Sequence, residues 1–366
     1  MSPQTEMRLA NYGLYRYRLP YARPVRWSDV VEEAAEFLLL RITCAQGLAG
    51  VAEMTIKPTW TGASLRSLVA SLEDVFLPLL KKLDLCDPAA VRARLEGIPE
   101  NHAAKALVDN AVWDLQAAAR GGPLHRAWGG APEVPLSFTV TRQTPARMVA
   151  EAVAMVERHG FKTLKIKGGQ GLSTDVEAMH GLRHALGNGT RLYVDANGAY
   201  APTEAGAYAR AMADAGAEVV EDPCAFAPDA TFTRLQAASP APVLVDFYCA
   251  SPRDMALYIA AGARAFSLKP GRLGLSDTRA MAALARASGC RTVVGMFGES
   301  ALGTLAALQL STTLPPGSLP AENSWFLAMT QQILVSPLVI TQGSIRLPDA
   351  AGSAGLIDWN RLEPLT

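Results

Sequence analysis

The stretch "FKTLKIKGGQ", residues 161–170, reads as a short buried strand running into a glycine-bearing loop, yet it carries Lys165 and Lys167 two positions apart. Lysine is among the residues least often fully buried. Successive side chains of a strand alternate faces, so the two lysines share one face while Leu164 and Ile166 take the other. Around this stretch the same unit recurs: a short apolar strand, a polar or glycine-bearing loop, an alanine-rich helical run. The strands are "PLSFTV", "TLKIK", "RLYVD", "AEVVE", "PVLVD", "AFSLK", "TVVGMF" and "SLPAEN", ending near Thr139, Lys167, Asp195, Glu221, Asp246, Lys269, Phe297 and Glu322 at intervals of 23 to 28 residues. Strands alternating with helices imply parallel βαβ units, and eight of them predict an α/β fold of the (β/α)8 TIM-barrel type ahead of a doubly wound sheet.

The chain before this rhythm has another character. "MRLANYGLYRYRLP" and "EFLLLRITCAQGLAGVAEM" predict an antiparallel ribbon, and "SLRSLVASLEDVFLPLLKKL" and "HAAKALVDNAVWDLQAAAR" carry apolar residues at helical spacing. The expected organisation is an α+β N-terminal capping domain over residues 1–130, the barrel over 131–328, and a C-terminal segment, 329–366, that returns to the capping domain. A chain of 366 residues has ample material for such a core.

Composition narrows the function. Basic and acidic residues balance at 34 each with no dense basic run, which argues against nucleic acid or a membrane surface as partner. The five cysteines, Cys44, Cys86, Cys224, Cys249 and Cys290, are scattered and suggest neither a disulfide framework nor a zinc site. The opening "MSPQTEMRLANYG" has no apolar core of the signal-peptide kind, so a cytoplasmic location is expected. The partner expected is a small molecule.

Chemistry in such a barrel sits at the C-terminal mouth. Asp195, Glu221 and Asp246 end three consecutive strands and so bring three carboxylates to one side of it. Each alone reads better as a cap on the following helix. Three like charges in a desolvated mouth repel unless neutralised, and an all-oxygen set without His or Cys selects a hard cation, Mg2+ with Mn2+ as the alternative. Lys269 ends strand six, across the mouth from Lys165 and Lys167 on strand two. A carboxylate substrate between them would have its α-carbon flanked by Lys167 and Lys269. Removing its proton needs a base and strong stabilisation of the enolate. Neighbouring positive charge and burial are expected to lower the lysine pKa, with Lys165 as helper beside Lys167.

"LKIKGG", "YVDANGAY", "VVEDP", "LVDFYCASPRD", "FSLKPGRLG" and "GMFGESALGT" resemble, in order and spacing, the barrel motifs of the enolase superfamily, in its muconate lactonizing enzyme subgroup. The resemblance spans nearly the whole chain. It implies Asp195, Glu221 and Asp246 as Mg2+ ligands, Lys167 and Lys269 as the acid/base pair, and Asn197 in support beside the metal. Glu299 and Glu322 match acids at the ends of strands seven and eight. It also implies that the capping-domain loops near 20–29 and 55–64 choose the substrate, with Tyr21, Arg26, Trp27 and Trp60 as candidate contacts. Homo-oligomers are common for such barrels. Three departures stand out. Asp246-Phe247-Tyr248 replaces the usual Asp-Glu-Ser, Asp222 takes a place where many members have Gln, and "GMFGES" has no histidine, which excludes a His-Asp dyad.

The function expected is a Mg2+-dependent isomerase or lyase working through a metal-stabilised enolate, muconate cycloisomerase-like. The alternatives are an N-acylamino acid racemase or dipeptide epimerase, and a syn-elimination of the succinylbenzoate synthase kind. "PAENSW" lacks the Asp-x-Asp expected of a dipeptide epimerase on strand eight. A Schiff-base aldolase using Lys167 or Lys269 leaves the acids unexplained, and a barrel that only binds an acid is the remaining rival.

Overall fold

The structure, a computed structural model, describes residues 6–27 and 30–365, apart from the side chains of Arg26 and Trp27. Arg26 and Trp27 as substrate contacts therefore lie outside the described residues. The chain opens with three long antiparallel strands, β1 (Leu9–Trp27), β2 (Val30–Cys44) and β3 (Ala49–Thr55). Then come β4 (Glu133–Pro135), β5 (Phe138–Val140), β6 (Thr163–Lys167), β7 (Arg191–Asp195), β8 (Ala217–Glu221), β9 (Val243–Val245), β10 (Ala265–Leu268) and β11 (Arg291–Val294). Three short strands close the chain: β12 (Ile340–Thr341), β13 (Ser344–Arg346) and β14 (Glu363–Pro364).

Strands β5 to β11 form a parallel sheet in sequential order, each strand leading into a helix. The predicted alternation holds in β6. Leu164 and Ile166 join the apolar layer shared with the helices, whereas Lys165 is in register with Tyr193 on the other face. There Tyr193, Val219, Leu244, Ala265, Val293 and Leu319 make a separate buried cluster. The sheet is curled, so these inward side chains meet one another rather than the helices.

The eighth strand expected from "SLPAEN" is not a strand. Leu319–Glu322 runs as an extended segment between the two sheet edges: Leu319 N and Glu322 N donate to Thr292 O and Val294 O at 2.8 and 2.9 Å. On its other side Ala321 N donates to Pro135 O at 3.0 Å and Ser137 N donates to Ala321 O at 2.8 Å. Pro320 has no N–H to give, which breaks the regular ladder at this point.

The N-terminal sheet runs β14-β1-β2-β3, so the chain's end pairs with its beginning. β2 is buried on both faces. Leu38, Leu40 and Ile42 pack with the N-terminal helices, while Phe37 and Leu39 join the cluster that continues into the parallel sheet. The expected helix from residue 64 is interrupted by a π turn at Leu72–Phe76, just before Pro78, whose ring forbids the regular bond to the preceding turn. Among the described residues no helix is long and apolar enough to cross a membrane, and all five cysteines are free thiols.

The long helix His102–Arg120 ties the N-terminal layer to the loop after β10. Asn110 holds both ends of that loop, donating to Pro270 O and accepting from Leu275 N, each at 2.9 Å. Beside it the buried Asp109 accepts from Ser276 N at 2.8 Å and Ser276 Oγ at 2.5 Å. Burial lifts the Asp109 carboxyl to about 6, against the opposing Ser276 hydrogen bonds. A raised acid pKa in the folded state gives stability that is full below the unfolded value and is lost as pH rises through about 6. Between pH 4 and 7 the wild type should lose on the order of 2–3 kcal/mol more than Asp109→Asn, at 1.36 kcal/mol per unit. Denaturant titrations at both pH values would show parallel losses if Asp109 titrates normally.

Candidate active site

A cavity of about 480 Å³ opens where β6 to β10 end, under a roof from the N-terminal layer that includes Val30, Thr59 and Trp60. Lys165, Lys167, Asn197, Asp246, Lys269 and Glu322 line it. Lys269 follows β10 directly. Gly295 clears the path of its stem, since a Cβ there would lie 2.9 Å from Lys269 Cε and 2.1 Å from Ser267 Oγ. The ammonium comes within 5.9 Å of the Trp60 ring centroid.

The charged groups meet as pairs. Lys165 is 1 % exposed, and its Nζ donates to Glu221 Oε1 at 2.7 Å and to both Glu322 oxygens at 3.0 Å, with Asp195 Oδ2 at 3.1 Å. Lys167 donates to Asp195 Oδ2 at 2.5 Å and to Asn197 Oδ1 at 3.2 Å. Asn197, in the left-handed region, returns its N–H to Asp195 Oδ1 at 2.8 Å and its amide to Oδ2 at 3.1 Å. Lys269 donates to Asp246 Oδ2. Beside Asp246, Phe247 stands half exposed at the cavity.

These pairings set the protonation. Burial opposes charge on Asp195, but Lys165 and Lys167 overcome it and hold the carboxyl well below its usual range. Burial and the Asp195 charge push Glu221 up. Lys165 and Lys269 sit above the ordinary lysine value, for Lys269 contrary to the lowering expected of a base: burial pulls each down, and the carboxylates of Asp195 and Asp246 respectively more than reverse it. Charge neighbours of opposite sign outweigh desolvation here.

Two of the three strand-end acids have an oxygen to spare. Glu221 Oε2 and Asp246 Oδ1 are buried with no hydrogen-bond partner. Such atoms are costly unless satisfied, and a hard cation is the partner that an all-carboxylate set favours. The residues therefore fit a divalent ion. As arranged, no three His, Cys, Asp or Glu side chains among the described residues converge to hold one, because the Lys165 ammonium lies between Asp195, Glu221 and Glu322.

The remaining expected residues support this site from outside the cavity. Asp222 accepts from Asp246 N and Phe247 N at 3.1 and 2.8 Å and so fixes the chain after β9, with burial raising it to about 7. Glu299 accepts from Phe297 N at 2.7 Å and is likewise raised by burial to about 7. Tyr21 packs edge-on against Trp325, and it is Trp325 that lines the cavity. Unforeseen in the sequence were Arg142 and Arg272 at the cavity. Arg142 donates to Gly168 O at 2.6 Å and Ala196 O at 3.1 Å, clamping the loops after β6 and β7. Their signal was weak, because they sit two and four residues beyond the ends of β5 and β10, where arginine is ordinary.

A parallel α/β sheet capped by an antiparallel layer, with lysines facing strand-end acids around one cavity, is the arrangement of an α/β enzyme. Residues 147–360 match the family described as enolase C-terminal domain-like, and residues 14–129 match the mandelate racemase / muconate lactonizing enzyme N-terminal domain. The chain belongs to this family, in the enolase superfamily's muconate lactonizing enzyme subgroup. It is 31% identical over 355 residues to muconate cycloisomerase 1-2 of Acinetobacter lwoffii, covering 95% of this chain and 92% of that one. It is 28% identical over 314 residues to L-Ala-D/L-Glu epimerase of Bacillus subtilis, covering 84% and 86%. Among solved structures, muconate lactonizing enzyme from Pseudomonas fluorescens complexed with muconolactone superposes with a TM-score of 0.90 at 26% identity, covering 97% of this chain and 98% of that one. The substrate-liganded Bacillus subtilis epimerase gives 0.87 at 26%, covering 94% and 98%. These relatives are isomerases, and the chain falls with them in that class.

Proposed function

We propose that the chain is a divalent-cation-dependent cycloisomerase that interconverts a muconate-type diacid and its lactone by moving a proton at the carbon next to a carboxylate. The observation that carries this reading is the placement of Lys167 and Lys269 on one cavity, from β6 and β10, with the acids of β7, β8 and β9 between them. In the lactone-opening direction one lysine, as free amine, takes the α-proton. The electron pair forms the carbon–carbon double bond and the ring C–O bond breaks, releasing the second carboxylate; closure is the reverse. Lys165, kept charged by its carboxylate neighbours, is suited to orient the substrate carboxylate and not to take the proton.

Asp195, Glu221 and Asp246 would hold the cation, Mg2+ or Mn2+, with Asn197 fixing Asp195. When bound, it supplies positive charge that eases proton loss next to a carboxylate. Lys167 and Lys269 are each bonded to one of these acids here, so sharing those oxygens with a cation would weaken the hold on both amines. A complete eight-membered ring, with Leu319–Glu322 as the eighth member, is part of the same reading.

Epimerisation of an amino-acid derivative also suits two opposed lysines. It is disfavoured because Glu322, the acid that "PAENSW" offers for a substrate ammonium, is already taken by Lys165 and by Tyr193 OH at 2.7 Å. The test is exchange in D2O with Mg2+, followed by NMR over muconolactones, N-acylamino acids and dipeptides. Deuterium at the lactone α-carbon together with appearance of the diene diacid is expected. Exchange confined to dipeptides would replace the proposal with the epimerase reading, and no exchange by folded, Mg2+-loaded protein would overturn both.

A further inference from the structure

Most positive charge around the cavity is already matched. Lys165, Lys167 and Lys269 are bonded to carboxylates, and Arg142 spends Nε and Nη2 on two backbone carbonyls. Arg272 differs. It lines the cavity, and among the described residues it makes no ion pair and one hydrogen bond, from Nη2 to Phe247 O at 3.1 Å. Asp246, which feels its charge, is bonded to Lys269.

The side chain is nonetheless held in place. Its guanidinium carbon stands 5.1 Å from the Phe247 ring centroid, a cation–π contact that covers one face and leaves the N–H edges available. Phe247 is itself packed edge-on to Tyr248. Its backbone N–H is fixed by Asp222, and the loop that carries Arg272 is fixed at both ends by Asn110. An apolar ring at position 247 thus orients the arginine without consuming its charge. A fork of N–H donors with no internal carboxylate, on the wall of a substrate cavity, is suited to an incoming carboxylate.

We propose that Arg272 binds the second carboxylate of a dicarboxylate substrate, the one remote from the carbon that exchanges its proton, and that Phe247 keeps it free to do so. Arg272 is on this account a specificity-determining residue. The proposal rests on the proposed function only for its choice of probe. cis,cis-Muconate is symmetric, so it has a single monomethyl ester, and the pair differs by one charge in a ligand of nearly one shape.

The experiment measures equilibrium binding of both compounds by calorimetry in Mg2+ buffer, for the wild type and for Arg272→Gln, Arg272→Lys and Phe247→Glu. The wild type should bind the diacid about 10- to 100-fold tighter than the monoester, the range of a charge-assisted hydrogen bond. Arg272→Gln should bring the two within about threefold, with Arg272→Lys intermediate because a point charge replaces the fork. Phe247→Glu should remove the preference with Arg272 still present, by giving the guanidinium an internal partner. Equal wild-type affinity for the two compounds would overturn the proposal. So would weakening of both to the same degree by Arg272→Gln, or an undiminished preference in Phe247→Glu. Binding discrimination without turnover would sink the proposed reaction and leave the assignment of Arg272 standing.

Discussion

Lys167→Ala and Lys269→Ala should each lower turnover about 100- to 10,000-fold, the range supplied by a positioned acid or base, with the larger loss for whichever lysine meets the proton. The two are not equivalent. Lys167 sits beside Asp195 and Asn197, whereas Lys269 shares Asp246 and lies under Trp60. In a cycloisomerase one of them handles the proton and the other contributes charge, so the losses should differ. In a racemase both faces are served, and each variant should keep exchange from one face. Lys269→Ala also leaves the buried Asp246 without its ammonium, which costs stability unless a cation compensates, whereas Asp195 keeps Lys165 in Lys167→Ala. Melting curves with and without Mg2+ separate a folding defect from a chemical one. A double variant no worse than the weaker single would mean that the two act in one unit. Full activity in both single variants would sink the two-lysine mechanism.

The second large effect concerns the acids. Glu221→Gln and Asp246→Asn should cut activity by about two to four powers of ten, because a catalytic cation is worth several kcal/mol of charge stabilisation. Glu221 is fully buried and its Oε2 has no partner, so an amide nitrogen there would face the same gap with the wrong polarity. Chelator treatment of the wild type should abolish activity reversibly. Added Mg2+ should raise the wild-type melting temperature with a concentration dependence that the variants lack, since an ion that binds only the folded state stabilises it by mass action. An unchanged melting temperature in millimolar Mg2+ and activity that survives chelation would remove the cation from the reading. Asp222→Asn provides a contrast: it perturbs the backbone after β9 and should leave the Mg2+ dependence in place while weakening the fold.

Much of this protein is legible in its sequence because the signals are local. The period-two alternation in "TLKIK" put Lys165 and Lys167 on one face, and in the structure Leu164 and Ile166 indeed join the helix-facing layer. Strand-end positions of Asp195, Glu221, Asp246 and Lys269 followed from the regular spacing of the units, and these residues gather around one cavity and its immediate walls. The family resemblance, read from six ordered motifs, agrees with both matched family regions. The eighth strand was the failure of this local logic. Its apolar pattern was right, but Pro320 withholds the donor a ladder requires.

What tertiary structure decided is the pairing. Lys165 and Glu322 are 157 residues apart in the chain yet bonded at 3.0 Å, and Asp195 and Glu221 together with this contact hold the Lys165 ammonium above the ordinary lysine value against burial. Arg272 gained its significance only when Phe247, Asp246 and Lys269 were seen to leave it without a carboxylate. Residue type and spacing settle which groups reach the mouth, because strand geometry is local. Charge state and specificity depend on distances of a few ångströms between strands remote in sequence, and Coulomb and desolvation energies of opposite sign are balanced only at those distances.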